Sequence, residues 1–359
     1  MSGHNNRTRL RLKRLLAIPF LTVVALVSIT ACGSGTTGAS SDKLRLGYFP
    51  NITHAIPVLG VANGQLQQAL GQTQLATQTF NSGTAAVEAI NAGAVDAAFV
   101  GPNPAISSWT NSGGTSIRII SGAASGGAEL VVRPGIEATA DSLRGTTLAT
   151  PSLGNTQDVA LRFWLKQQGL AAPKDSRGDV DVIPQQNAQT LALFKRGEID
   201  GAWVPEPWAS RLVQEGGGTV IVNEKDLWPD GKFVTTQLIV SQEYLTTYPD
   251  QVRALLAGVL ATEMAIAANP TKARADVDAA LRELTGDELD GEVLTRAWDN
   301  IDITLDPIAT SLQADLNHAV DVKISLPVDL NGIYDLTILN QLLTAAGRPT
   351  VSAAGLGSQ

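Results

Sequence analysis

Up to about residue 240, short apolar runs alternate with amphipathic stretches, and beyond it the longer helical period dominates. The runs near 44–49, 97–100, 129–133, 147–150, 201–204 and 236–240 are short and bounded by Gly, Pro, Asn or Asp, which predicts buried strands. Between them, apolar residues fall three or four apart (Val87 and Ile90, Leu191 and Phe194), as on one face of a helix. Strands alternating with helices indicate parallel βαβ units, so the expected class is α/β. After residue 240 the pattern predicts a helix from Pro249 to Ala268 and others near 274–284, 290–300, 307–320 and 334–346.

The pattern also repeats. Residues 43–66 (KLRLGYFPNITHAIPVLGVANGQL) lie over 147–170 (TLATPSLGNTQDVALRFWLKQQGL) at an offset of 104, matching Leu44 to Leu148 and Asn51 to Asn155. The same offset carries AVEAINAGAVDAAFV (86–100) onto TLALFKRGEIDGAWV (190–204), where Gly93/Gly197 and Asp96/Asp200 coincide. A repeated strand–helix unit implies two lobes of one plan. Extended segments at Glu129–Arg133 and Thr236–Val240 would cross between them and leave a cleft. The expected division is 43–132 plus 237–359 for lobe one and 133–236 for lobe two, with the helical C-terminal region on lobe one.

Composition narrows the function. A chain of 359 residues with 44% hydrophobic and 17% charged residues is too apolar for disorder and long enough for two domains. Its formal charge of −8 argues against nucleic acid as a partner. One cysteine excludes a disulfide framework, and three scattered histidines (His4, His54, His318) give no metal-ligand spacing. The first 31 residues hold Arg7, Arg9, Arg11, Lys13 and Arg14 followed by an apolar run, the build of a secretory signal. Ile29-Thr30-Ala31-Cys32 closes it, placing the sole cysteine at the position a lipobox would give it. We therefore expect a lipoprotein signal peptide at 1–31, lipidation of Cys32, and a flexible Gly/Ser/Thr-rich tether at 32–42. Loss of the five cations would lower the charge from −8 to −13.

Ligands of open α/β sheets bind beyond the carboxyl ends of the strands. The repeat places five loops there: 50–54, 80–84, 101–104, 152–157 and 205–208. They are made of Asn, Ser, Thr, Gln and Gly, with almost no fixed cation. Such residues cap helices, and helix starts with free N–H groups also hold small anions. Asn155-Thr156-Gln157 and Ser82-Gly83-Thr84 are the candidate starts. His54 reads as a ligand contact, a cap or an exposed residue. Glu206, between two prolines, reads as a receptor for a ligand amine or as a bridge between lobes. Trp208 reads as a stacking surface or as core, and Trp109 as core. No nucleophile–base grouping, paired-carboxylate spacing or nucleotide-binding glycine motif occurs, so no catalytic residue, metal or cofactor is expected.

At these loops the sequence resembles the substrate-binding proteins of nitrate/sulfonate/taurine ABC importers. The resemblance rests on GYFPNITHA (47–55), FNSGTAAVEAINAG (80–93), DAAFVGPNPAI (96–106), GNTQDVALRFWL (154–165), GEIDGAWVPEPWASRL (197–212) and LWPDGKFVTTQLIV (227–240), and continues to DLNGIYDLTILNQLL (329–343). It implies a two-lobed periplasmic-binding-protein-like type II fold with two hinge crossings and no enzymatic activity. It further implies a lipid-anchored monomer on the extracytoplasmic face that passes a small anion to a permease driven by a cytoplasmic ATPase. Carried onto this chain, the ligand contacts are Asn51, His54, Ser82, Gly83, Asn103, Asn155, Thr156, Gln157, Glu206 and Trp208. GPNP and GNTQD are closest to the aliphatic-sulfonate branch. Taurine, nitrate and thiamine-pathway pyrimidine precursors are alternatives, as are a sensory co-receptor and a pyrimidine-biosynthetic enzyme of the same fold. The enzymes of that fold rely on cysteine-rich motifs that this chain lacks.

Overall fold

The computed structural model describes residues 41–359. The expected signal segment, Cys32 and all of the expected tether except Ser41 and Asp42 lie outside the described residues. The strands are β1 (Lys43–Tyr48), β2 (Gln74–Thr79), β3 (Ala97–Val100), β4 (Ile117–Gly126), β5 (Ala128–Val132), β6 (Thr147–Thr150), β7 (Asp181–Pro184), β8 (Gly201–Pro205), β9 (Thr219–Asn223), β10 (Val234–Ser241), β11 (Ile301–Ile303), β12 (Tyr334–Asp335) and β13 (Gly357–Ser358). They form two sheets. One runs β13-β12-β4-β10-β3-β1-β2 with β11 beside β4, and the other runs β7-β6-β8-β5-β9.

The two sheets share one plan. In the first, β1 pairs in parallel with β2 and β3, and β10 lies antiparallel between β3 and β4. In the second, β6 pairs in parallel with β7 and β8, and β5 lies antiparallel between β8 and β9. A matching carboxylate ties each sheet. Asp96 Oδ2 accepts from the Arg45 amide at 2.7 Å, and Asp200 Oδ2 accepts from the Thr147 amide at 2.8 Å.

These bonds also correct the sequence alignment. Asp96 and Asp200 are 104 apart, but their partners Arg45 and Thr147 are 102 apart, and Leu46 rather than Leu44 corresponds to Leu148. Side chains of a strand alternate between faces, so a slip of two residues keeps Leu over Leu and is invisible to a pattern match.

Alternation explains the core of the second sheet. Leu130, Val132, Leu148 and Trp203 point to one face, under the helix Thr156–Gln167. Val131, Ala149, Ala202 and Val204 point to the other, with Leu191 and Phe194 of the helix Asn187–Arg196. Helices cover both faces, as parallel strands require. The first sheet shares a larger core with the C-terminal helices. Pro249–Ala268 is long and apolar enough to cross a membrane by length and composition, yet it buries Val252, Leu255, Leu256 and Val259 in that core. Gly258 allows the close approach, because a Cβ there would lie 3.0 Å from Leu66 Cδ2.

Strand pairing moves the expected division. β5, expected to close lobe one, is hydrogen-bonded only within the second sheet, and β10 joins the first sheet from Val234 onward. An apolar run does not announce which sheet it will pair with. The first crossing therefore falls at Gly126-Gly127, whose φ values of 74° and 72° favour glycine. The C-terminal helices are also not confined to the first sheet's side: Ala309–Asp321 packs on both Pro102–Asn111 and Thr156–Gln167, and Gly291–Asp299 packs on Trp208–Gln214.

One buried ion pair sets the second sheet's leading helix. Asp158 accepts from Thr150 Oγ1 at 3.0 Å, from the Gly154 amide at 2.9 Å and from Arg162 Nε at 3.0 Å. The two charged side chains are 0% and 2% exposed. Replacing Arg162 by Met leaves a buried carboxylate without its counter-charge, and we expect a loss of about 3–5 kcal/mol of unfolding free energy in urea titrations.

Candidate functional site

The carboxyl ends of β1, β3, β6 and β8 converge on a cavity of about 30 Å³. Asn51, Thr53 and His54 come from the turn after β1, Gly83 from the helix after β2, Gly101 from the turn after β3, and Pro104 from the first turn of the helix Pro102–Asn111 that Gly101 precedes. Across from them stand Asn155, Thr156 and Gln157 after β6, and Pro205 at the end of β8. Phe49 and the β10 residues Thr235 and Thr236 complete the lining.

Two helix starts face this space. Asn155 caps its helix, accepting from the Asp158 amide at 3.0 Å and donating to Gln157 Oε1 at 3.0 Å. Ser82 caps the other, accepting from the Ala85 amide at 3.4 Å. The backbone amides of Thr156, Gln157, Gly83 and Thr84 have no acceptor among the described residues. Free amides and aligned peptide dipoles give each start roughly half a positive charge. Closure brings the two sides into contact. A Cβ on Gly101 would lie 2.3 Å from Thr156 Oγ1, and Thr84 Oγ1 lies 3.2 Å from Ser152 Oγ.

The lining carries no ionised side chain. His54 is 3% exposed, stacks on Phe49 at 4.4 Å and sits with Nδ1 3.2 Å from Thr53 Oγ1. Burial pushes its pKa down to about 3, which the neighbouring Phe99 backbone only partly offsets. The imidazole is therefore neutral near pH 7. Thr236 Oγ1 is buried without a partner among the described residues, an arrangement that suits a polar guest.

Four expected contacts stand elsewhere. Ser82 serves as a cap outside the lining. Asn103 is buried, donates to the Asp315 carbonyl at 3.4 Å and faces a neighbouring cavity. Trp208 lies outside the lining and donates Nε1–H to Asn51 Oδ1 at 3.0 Å, so it joins the two sides and orients Asn51. Glu206 is fully buried and already engaged: it accepts from Arg296 Nη1 at 3.1 Å, Asn300 Nδ2 at 3.0 Å and the Ser210 amide at 3.0 Å. Arg296 also donates to Glu129 at 2.6 Å. Burial raises the pKa of both glutamates, and their mutual repulsion adds to the rise at Glu206. Of the two readings of Glu206, the bridge is the one its partners fit. Conversely, Thr235 and Thr236 line the cavity although nothing in an apolar strand pattern marks them.

Residues 37–281 match the sequence profile of the NMT1-like family. The chain belongs to that family. Among curated relatives of this NMT1-like chain, the taurine-binding periplasmic protein of Escherichia coli is 25% identical over 191 residues, 53% of the chain and 57% of the relative. A binding protein of Brucella abortus is also 25% identical, over 54% of the chain and 58% of the relative. The chain thus spans less than three fifths of the length of these relatives. Among solved structures, the nitrate-binding protein NrtA of Synechocystis aligns with a TM-score of 0.73 at 15% identity, over 86% of this chain and 90% of that one. The alkanesulfonate-binding protein SsuA of Xanthomonas axonopodis, bound to MOPS, aligns with a TM-score of 0.66 at 20% identity, over 81% and 96%. These likenesses establish the two-sheet binding-protein fold.

In this NMT1-like chain the neutral His54 has a measurable cost in acid. Between pH 6.5 and about 3 the unfolded chain holds a proton that the folded imidazole refuses. Stability therefore falls as pH drops through that window, by at most about 1.4 kcal/mol per unit from this residue. His54→Gln should show a shallower decline of urea-unfolding free energy from pH 6.5 to 4 than the parent. Parallel declines would contradict the assignment.

Proposed function

We propose that the chain is the extracytoplasmic substrate-binding component of an ABC importer, capturing a small organic oxyanion, an aliphatic sulfonate or taurine, in the cleft between its two sheets. The observation that carries this reading is the pair of opposed helix starts at Gly83-Thr84 and Thr156-Gln157, with four unpaired amides and no fixed charge around them. A sulfonate presents three acceptor oxygens and one charge, which such a pair can share. Neither side encloses the ligand alone, so binding favours closure, and a permease can sense the closed form. The kinship with a taurine-binding relative and the sulfonate held by the SsuA neighbour support the same class. Nitrate is the second reading, favoured by the 30 Å³ volume of the closed cavity.

Turnover has little support. His54 is the only titratable side chain in the lining, and the chain's one cysteine, Cys32, is the proposed lipid anchor. In this reading residues 43–126 with 234–359 form one lobe and 128–223 the other, and Cys32 holds a monomer at the membrane beside a permease and its ATPase. Asn51, His54, Gly83, Asn155, Thr156 and Gln157 contact the ligand; Asn103 meets its tail, Ser82 positions the helix start, and Glu206 and Trp208 act through their neighbours.

Calorimetry with methanesulfonate, taurine and nitrate tests the proposal. Thr156→Ala with Gln157→Ala should weaken the bound anion by about 0.5–3 kcal/mol. An unchanged affinity would remove these two side chains from the ligand contacts. A second test uses Gly101→Val. Its backbone is extended and accepts any residue, yet the added atoms collide with Thr156 across the cleft. The variant should fold normally, show a larger radius of gyration in solution scattering, and lose roughly tenfold or more in affinity.

A further inference from the structure

Beside the cleft lies a second cavity of about 340 Å³. The two share Pro104, and the second continues the walls of the first, with Thr84 after Gly83 and Gly154 before Asn155. Its apolar wall includes Val87, Ile106, Leu153, Ile324 and Leu326. Leu153 and Leu326 are 45% and 74% exposed, unusual for large aliphatic side chains that flank the same hollow. Asn103 faces this space with Oδ1 buried and unpartnered among the described residues, at 3% exposure for the residue.

The charges around the cavity run against the rest of the chain. No acidic residue lines it, although the chain holds 34 acidic and 26 basic residues. Lys174, from the loop before β7, and Lys323, after the helix Ala309–Asp321, both line it. Among the described residues neither has a carboxylate within 4.0 Å, whereas most other cations are paired. Two unpaired ammonium groups from distant segments, set at one apolar hollow, make a site for an acidic group at the end of an apolar stem.

We infer that this cavity is a tail subsite: it receives the organic part of the cleft-bound anion and prefers a short alkyl tail that ends in a second acidic group. The inference rests on the proposed function, since the sulfonate must first sit at the two helix starts. The ligand class is then an ω-carboxyalkanesulfonate, with a plain alkanesulfonate next. An ω-aminoalkanesulfonate long enough to bring its ammonium group beside the two lysines is the poorest of the three, so within the proposed class the subsite favours an aliphatic sulfonate over taurine.

Calorimetry on the parent protein with methanesulfonate, butanesulfonate, 4-sulfobutanoate and 4-aminobutanesulfonate provides the test. Methanesulfonate reports the cleft alone. The expected order is 4-sulfobutanoate first, then butanesulfonate, then the amine. In the variant carrying Lys174→Glu and Lys323→Glu, both at exposed positions, the two ligands with charged tails, 4-sulfobutanoate and 4-aminobutanesulfonate, should exchange rank, each moving by roughly tenfold. Methanesulfonate should change by less than about twofold. Leu153→Ser should weaken butanesulfonate and leave methanesulfonate unchanged. If methanesulfonate binds but the three longer ligands bind equally, or keep their order in the charge-reversed variant, the tail subsite is wrong and the cleft proposal stands. If no sulfonate binds the parent, both are overturned.

Discussion

The buried Asp158 carboxylate holds the cleft's second side in place. It gathers the end of β6 through Thr150, the loop through Gly154 and the helix through Arg162, and Arg162 reaches on to the Ala172 carbonyl at 2.7 Å. With these points tied, Asn155 can cap the helix and the next two amides are left pointing outward. A helix start that ended its bonds among its own side chains would have nothing to offer a guest. Here the satisfied group lies one layer below the unsatisfied ones, and that separation lets a buried ion pair shape a neutral surface.

Six of the thirteen strands and the loops that gather at the cavity were legible because both follow from local pattern. Gly-x-x-Asp recurs at Asp96 and Asp200, and each Asp closes its sheet in the same way. Asn51, His54, Gly83, Asn155, Thr156 and Gln157 lie in loops that any α/β sheet would direct to one edge. Register was not legible, because a two-residue slip preserves every inward side chain. The partners of Glu206 were not legible for a different reason. Its partner Arg296 is 90 positions away, in a helix whose own pattern gave no sign of reaching the second sheet. Likewise β5 looks like a strand from any viewpoint, and only hydrogen bonding reveals its sheet.

The joint between the halves is unlike the halves themselves. Gly126 and Gly127 turn the chain at positive φ, where a Cβ on Gly127 would meet Ile301 Cγ2 at 2.4 Å. Close by, Arg296 and Asn300 fasten the C-terminal region to Glu129 and Glu206. Flexible backbone and a charged clamp therefore stand side by side.

The neutral lining has a consequence for chemical taste. His54, its only titratable member, changes state near pH 3, so the cavity is electrically silent across ordinary environmental acidity. Within the proposed function, the number and geometry of a guest's oxygens then matter, and the protonation state of the wall does not. A strongly basic anion gains no proton transfer here, since no wall residue has a proton to lend, and weakly basic species such as sulfonates are not disadvantaged on that account.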